Sequence, residues 1–365
     1  MLEDGRITYK QLIYLIFITR ITLTFTYLPA LTSPPKNQDV WLSGLLSFPI
    51  QLLFAVPVYL LWKRFPSQSI IQYSQSIVGK AGKLIGVLYV WFIIHFTAIT
   101  LCQFCKFLTT AVAPETPMLF FGISLTLFCA YAARNGVEVM GRMSEIIAPI
   151  IMIASITIVV LLAKDMNLEV FTPVLEKGFL PVLHGGFTIA ARSVEIIGIA
   201  MVLPYLNDRK KAKTVFIFTF LLRLIFFLII TITILAIFGV EEVKNRLFSF
   251  FSAVRLVSIG GFLERIESVH MGIWVLGVFI KITFYYYLAV LGMGQLFNLK
   301  DYRPLILPVG TIIIPLGILI GPSIVELKEF TSYKIFTWYS LFFMVFIPSI
   351  LLFIAIFRKK GVRQK

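Results

Sequence analysis

The sequence predicts an all-α polytopic membrane protein of ten transmembrane helices, set out as two five-helix halves of opposite orientation. Three observations predict it. Of the 365 residues, 59% are hydrophobic and only 14% charged, and the mean hydropathy of +0.92 is far above that of a soluble domain. Ten apolar runs are each long enough to cross a bilayer. Basic residues gather in alternate loops and acids in the others, which is the pattern of a chain oriented across a membrane.

In order, the runs cover residues 10–30, 40–62, 84–112, 118–133 and 143–163 in a first half (10–163). Runs at 181–206, 213–238, 270–297, 304–321 and 331–357 form a second half (181–357). The first run lacks a small-residue cleavage pattern and reads as a span, not a signal peptide. An even number of spans puts both termini on one side. Arg6 and Lys10, Lys63 and Arg64, Lys80 and Lys83, Arg134 and Arg142, Arg209 to Lys213, Lys300 and Arg303, and Arg358 to Lys360 all fall on that face, so it is assigned as cytoplasmic. The net charge of +15 is then an orientation signal and gives little reason to expect nucleic acid. On the opposite face, residues 166–180 mix apolar side chains with Pro173 and Lys177, as a segment lying along the interface would. Residues 240–269 interleave apolar and charged positions and predict an outer cap of one or two short helices.

Catalytic chemistry finds little support. His95, His184 and His270 are scattered, and the chain has no H-E-x-x-H pattern, phosphate loop or nucleophile elbow. Cys102, Cys105 and Cys129 lie in apolar runs and read as buried small side chains. Neither a metal nor a cofactor is expected.

The chemistry lies in charges at membrane depth, each costing about 2.5–3.5 kcal/mol on insertion scales unless it faces the bundle interior with a partner. In the sixth run Arg192, Ser193 and Glu195 interrupt an apolar stretch bounded by Pro181 and Pro204. The first run carries Arg20 with Thr22, Thr24 and Thr26 ahead of Leu28-Pro29. An odd number of spans per half forces the halves into opposite orientations, which permits an inverted repeat, and the first span of each half is then where a broken helix is expected. Helix ends left open at a break attract a carboxylate through free N–H groups and a cation through free carbonyls, a pairing that suits a zwitterion. The expected binding residues are Thr22, Leu23, Thr24, Phe25 and Thr26 from the first span and Ala190, Ala191, Ser193 and Glu195 from the sixth. Arg20, Arg192, Lys281 and Glu145 would set the local charge. Two readings of Lys281 stand side by side: a fixed ammonium in the place of a coupling cation, or a counter-ion for Glu195. For the threonines the competing reading is hydrogen bonding back to the preceding turn. Arg223 reads as snorkelling, and Glu145 as pairing with Arg142 or Arg134 at the interface.

One stretch carries a family resemblance. Val254-Arg255-Leu256-Val257-Ser258-Ile259-Gly260-Gly261-Phe262-Leu263-Glu264-Arg265-Ile266-Glu267, followed by Trp274 and Phe279-Ile280-Lys281, resembles the signature of the spore germination permeases. Ile7 to Gln11 and Gly141 to Glu145 resemble other parts of the same family. The resemblance implies membership of the amino acid-polyamine-organocation superfamily and a LeuT-like 5+5 inverted repeat with broken helices 1 and 6. It further implies the B subunit of a nutrient germinant receptor in the spore inner membrane, binding a small nutrient, typically an amino acid, beside A and C subunits. Where the superfamily often has Gly-Ser-Gly and Gly-Phe-Glu, this chain has Thr22-Leu23-Thr24 and Ser193-Val194-Glu195. Threonine fills the space that glycine leaves for a ligand, so hydroxyls, Arg20 or Arg192 would supplement the bare amides. Two alternatives stay open: a proton-coupled amino-acid transporter, and a scaffold or ion-conducting subunit without its own ligand.

Overall fold

The computed structural model describes residues 3, 5–26, 31, 33–257, 266–321 and 323–361, with the side chains of Leu23, Thr26, Ile266 and Ile324 left aside. In chain order the helices are α1 (Tyr9–Thr26), α2 (Val40–Arg64), α3 (Ile70–Val78), α4 (Lys80–Ala111), α5 (Met118–Arg134), α6 (Gly136–Leu162), α7 (Phe179–Ala191) and α8 (Glu195–Val202). Then come α9 (Ala212–Asn245), α10 (Ser249–Val254), α11 (Ile266–Leu296), α12 (Ile306–Leu319), α13 (Ile324–Phe330), α14 (Phe336–Leu341) and α15 (Ile347–Phe357). Among the described residues, seven helical segments are long and apolar enough to cross a membrane, and α5 and α12 are shorter apolar helices. With α1 these are the ten expected segments, α7 with α8 and α14 with α15 each counting once.

The apolar runs become helices because only a helix satisfies every backbone group inside a bilayer within a single segment. Buried β-branched and aromatic side chains then fix their packing, and α1 sits at the centre, against α6, α8, α9 and α11. Buried residues line α1 on most sides, including Leu12, Leu15, Ile16, Phe17, Ile18 and Ile21. Outward faces stay apolar, as at Leu53, Phe128, Ile153 and Phe353, which suits lipid rather than water.

Three features depart from the simple pattern. The amphipathic helix α3, closed by a capping box between Ser69 and Gln72, was not expected; it lies on the basic face between α2 and α4. The long helix α9 bends at Gly239, whose φ of +69° only glycine adopts without strain, so the outer cap begins inside this helix and continues into α10. Between α14 and α15 a π-helical turn (Phe342–Phe346) frees the Phe343 carbonyl, which accepts from the Tyr89 hydroxyl at 2.9 Å.

At the basic face the N-terminal segment is bound into the bundle. Ile7 pairs with Leu206, and the Glu3 carboxylate accepts from the Tyr287 and Tyr302 hydroxyls at 2.9 and 3.2 Å. Burial and then the neighbouring Glu3 charge raise the Tyr302 phenol above its ordinary range.

A close interhelical approach involves α7 and α2. A Cβ on Gly185 would stand 2.5 Å from both the Pro34 carbonyl and Ser43 Oγ. Gly185→Val should therefore lower stability by about 1–3 kcal/mol through overpacking. Gly272 has open space around its Cβ position, so Gly272→Ala should leave the thermal midpoint in detergent unchanged or slightly raised. Equal losses in both variants would refute close packing as the cause.

Candidate functional site

The sixth span breaks at its middle. The α7 ladder ends at Ala191 and α8 begins at Glu195. Between them the amides of Ser193, Ile196 and Ile197 bond to the carbonyls three residues back, at 3.2, 3.0 and 3.0 Å. The tightened turns release the carbonyls that an unbroken helix would have used, and at this depth each needs another partner.

Side chains from two other elements supply those partners, and two more elements hold the Ser193 side chain. Ser340 of α14 donates to the Ala191 carbonyl at 2.5 Å. Arg20 of α1 donates through Nη1 to the Arg192 carbonyl at 2.7 Å, and the same nitrogen stands 3.9 Å from Glu195 Oε1. One guanidinium thus faces both sides of the break, the last carbonyls of α7 and the acid that opens α8. Gln51 of α2 donates to Ser193 Oγ at 2.5 Å, and its own carbonyl accepts from Arg223 of α9 at 3.2 Å. Arg223 also donates to Ser47 Oγ at 3.0 Å.

Around this framework are polar groups with no hydrogen-bond partner among the described residues: Glu195 Oε2, Lys281 Nζ, Tyr285 Oη, and Nε and Nη2 of Arg223. Glu195 is 3% exposed and Lys281 wholly buried. The Lys281 ammonium faces the Phe96 ring, 5.2 Å from its centroid, and lies within electrostatic reach of both Glu195 and Arg20. Arg223 is likewise coupled to Glu195 and Arg20. Three formal cations therefore surround one carboxylate, which leaves two positive charges in excess in a region nearly closed to solvent. Such a centre favours an anionic group on whatever enters it.

The family model for spore germination proteins matches residues 6–324. The chain belongs to the spore germination protein family. Its relatives include spore germination protein KB of Bacillus subtilis (strain 168), 26% identical with 98% of this chain and 97% of that protein covered. Another is spore germination protein XB of Bacillus anthracis, 24% identical over 68% of this chain and 70% of its own length. Among solved structures, a Na+-coupled sialic acid symporter in a substrate-bound outward-open state is similar across 99% of this chain and 92% of its own, with a TM-score of 0.64 and 13% identity. At that identity the likeness establishes the transporter fold. The family is one of germination permeases on that fold and not a family of enzymes.

Within this germination protein the expected site residues are distributed unevenly. Ala190, Ala191, Ser193 and Glu195 are buried at the break, and Arg20 reaches it from α1. Arg192 turns away: its Nη2 donates to the Thr331 carbonyl at 2.8 Å, at the C-terminal end of α13. In the first span α1 is helical through Thr26, so the break expected in this span does not fall within Tyr9–Thr26. No glycine loosens that stretch, Thr22 Oγ1 donates to the Ile18 carbonyl at 2.7 Å, and Trp274 donates to the Thr22 carbonyl at 3.3 Å. Tyr27 to Ala30, where a break would follow, lie outside the described residues. Thr24 is buried, and Phe25 stacks on Phe250 and meets His270 edge-on. The side chains of Leu23 and Thr26 lie outside the described residues, as do Ser258 to Arg265 of the family-like loop.

Glu145 is exposed at the basic face and accepts from Gln11 at 3.0 Å, while Arg142 pairs with Glu138 instead. Arg223 does not snorkel; at 2% exposure it is part of the buried network. The reading of the sequence missed Gln51, yet a signal was there: Ser43, Ser47 and Gln51 recur every four residues in an apolar run, a polar stripe that a lipid-facing helix would not carry.

The charge arrangement yields a stability prediction. Glu195→Gln leaves Arg20, Arg223 and Lys281 without their shared carboxylate and should cost about 3–5 kcal/mol. Adding Lys281→Met should recover part of that loss in thermal midpoints measured in detergent. A double variant no better than the single one would show that Glu195 and Lys281 are not coupled.

Proposed function

We propose that this chain is the B-type subunit of a nutrient germinant receptor of the spore inner membrane, with both termini on the core side. In this reading it works with A and C subunits and binds a small nutrient carrying a carboxylate, an amino acid in the first instance, at the break between α7 and α8. Membership of the germination family supports the role, and the basic face supports the orientation. The observation that carries the site is the excess of buried cations around Glu195, with Lys281 Nζ and Glu195 Oε2 both lacking a hydrogen-bond partner among the described residues. The ligand's carboxylate would take Lys281 or Arg223, and its ammonium would take Glu195.

Binding triggers a response only if the ligand prefers one arrangement of the helices over another. The break supplies the bistable element. Ser193 reaches α2 and α9 through Gln51, Arg192 reaches the end of α13, and Arg20 reaches α1, so a ligand at the break acts on all four at once.

The test is a thermal-shift screen of the purified protein against common amino acids and sugars, with Ser193→Leu beside the parent. A true ligand at one hundred times its Kd should stabilise the parent by about 2.7 kcal/mol and leave the variant unmoved. If a folded parent responds to none of them, or if the variant responds equally, the site is not at the break.

The transporter fold favours a second reading, proton-coupled uptake of an amino acid. Proteoliposomes holding a pH gradient decide between the two. The receptor reading expects binding without accumulation, whereas gradient-dependent uptake lost in Lys281→Met would establish the transporter instead.

A further inference from the structure

Away from the break, a groove of about 790 Å³ runs between the start of α1 and the first half of α9, and it opens at the basic face. Its mouth carries Lys10 and Lys211 beside Tyr9, and deeper in it is walled by apolar side chains as far as Phe218 and Ile225. Phe218 is 54% exposed and Ile225 43%, so this wall is open to whatever surrounds the bundle. From Lys211 to Ile225 the helix rises about 21 Å, against about 15 Å for one leaflet of hydrocarbon. The trough therefore extends from headgroup depth past the reach of a headgroup, and can seat the length of an acyl chain.

The charges at the mouth are not neutralised. Among the described residues neither Lys10 nor Lys211 forms an ion pair, and no acid lines the groove. The Lys211 ammonium lies 5.6 Å from the centroid of the Tyr9 ring, which holds it at the rim. Two cations above an apolar trough complement one kind of molecule. A free phosphate has no use for the trough, and a zwitterionic lipid carries no net charge for the lysines.

We propose that this groove binds one anionic phospholipid from the leaflet at the basic face, its phosphate at Lys10 and Lys211 and an acyl chain along Phe218 and Ile225. The lipid would brace α1 against α9, the two helices that deliver Arg20 and Arg223 to the buried network.

The experiment titrates dioleoylphosphatidylglycerol into the purified protein in neutral detergent and counts bound lipid by native mass spectrometry. Dioleoylphosphatidylcholine and inorganic phosphate serve as competitors. The parent should retain one phosphatidylglycerol that neither competitor displaces. Lys10→Gln with Lys211→Gln should weaken retention about thirtyfold, at roughly fivefold for each lysine near a charged surface. Lys10→Arg with Lys211→Arg should retain the lipid, which separates loss of charge from loss of fold. Lys300→Gln with Arg303→Gln removes charge from the same face outside the groove and should change retention less than threefold. The proposal is overturned if phosphatidylcholine binds as well, if phosphate alone displaces the lipid, or if the two neutralised pairs lose it equally.

Discussion

The structure depends on one constraint: a helix interrupted inside a membrane must find partners for the carbonyls it releases. Here the release occurs at Ala191 and Arg192, and the partners are Ser340 and Arg20. Arg20 could not be spared from α1, because it is also the nearest cation to Glu195. Through Ser193 the same break holds Gln51 and, behind it, Arg223. Three residues of irregular backbone thus tie together α1, α2, α9 and α14. A change of conformation at the break cannot remain local, since each of its groups, once moved, leaves a buried donor or acceptor without a partner.

The charges follow from this framework and are not balanced by it. Arg20 and Arg223 are occupied largely with uncharged acceptors, so among the described residues Glu195 alone answers three cations. Buried ion pairs gain little net stability because desolvation offsets their attraction. An imbalance of this kind is costlier still, and a fold that carries it holds it in place by other contacts. Lys281 illustrates the point: it is wholly buried and faces an aromatic ring in place of an anion. The ligand carboxylate proposed for the break would relieve that cost, and it would need no glycine-lined cradle to do so.

The ten spans were legible because length and apolarity suffice to define them. The break in the sixth span was legible for the converse reason, since Arg192, Ser193 and Glu195 violate the apolarity of their run. What escaped detection depends on distant partners. Arg223 reads locally as a lysine-like snorkelling residue, and only the approach of α2 turns it into a buried donor to Gln51 and Ser47. Arg192 and Arg20 appear equivalent in the sequence, yet one is drawn to the end of α13 and the other to the break. The helix α3 went unnoticed because its nine residues are too few for a span, although Ser69 and Gln72 mark its start.

The first span was expected to break as the sixth does, and as far as Thr26 it stays helical, which bears on how the two halves can move. Threonine at Thr22 bonds into its own helix, where glycine would have left the backbone free to unwind. Through Thr26 the helix is therefore a rod, and Arg20 is carried rigidly upon it. The α7–α8 segment has the opposite character, with its hydrogen-bond ladder already open and its carbonyls held by side chains from elsewhere. A ligand at the break need not deform α1. In the proposed reading it would have only to alter the hold of one guanidinium on the Arg192 carbonyl and Glu195, and a rod would carry the displacement along its length to the basic face, where Ile7 and Arg6 are bonded to the residues that follow α8.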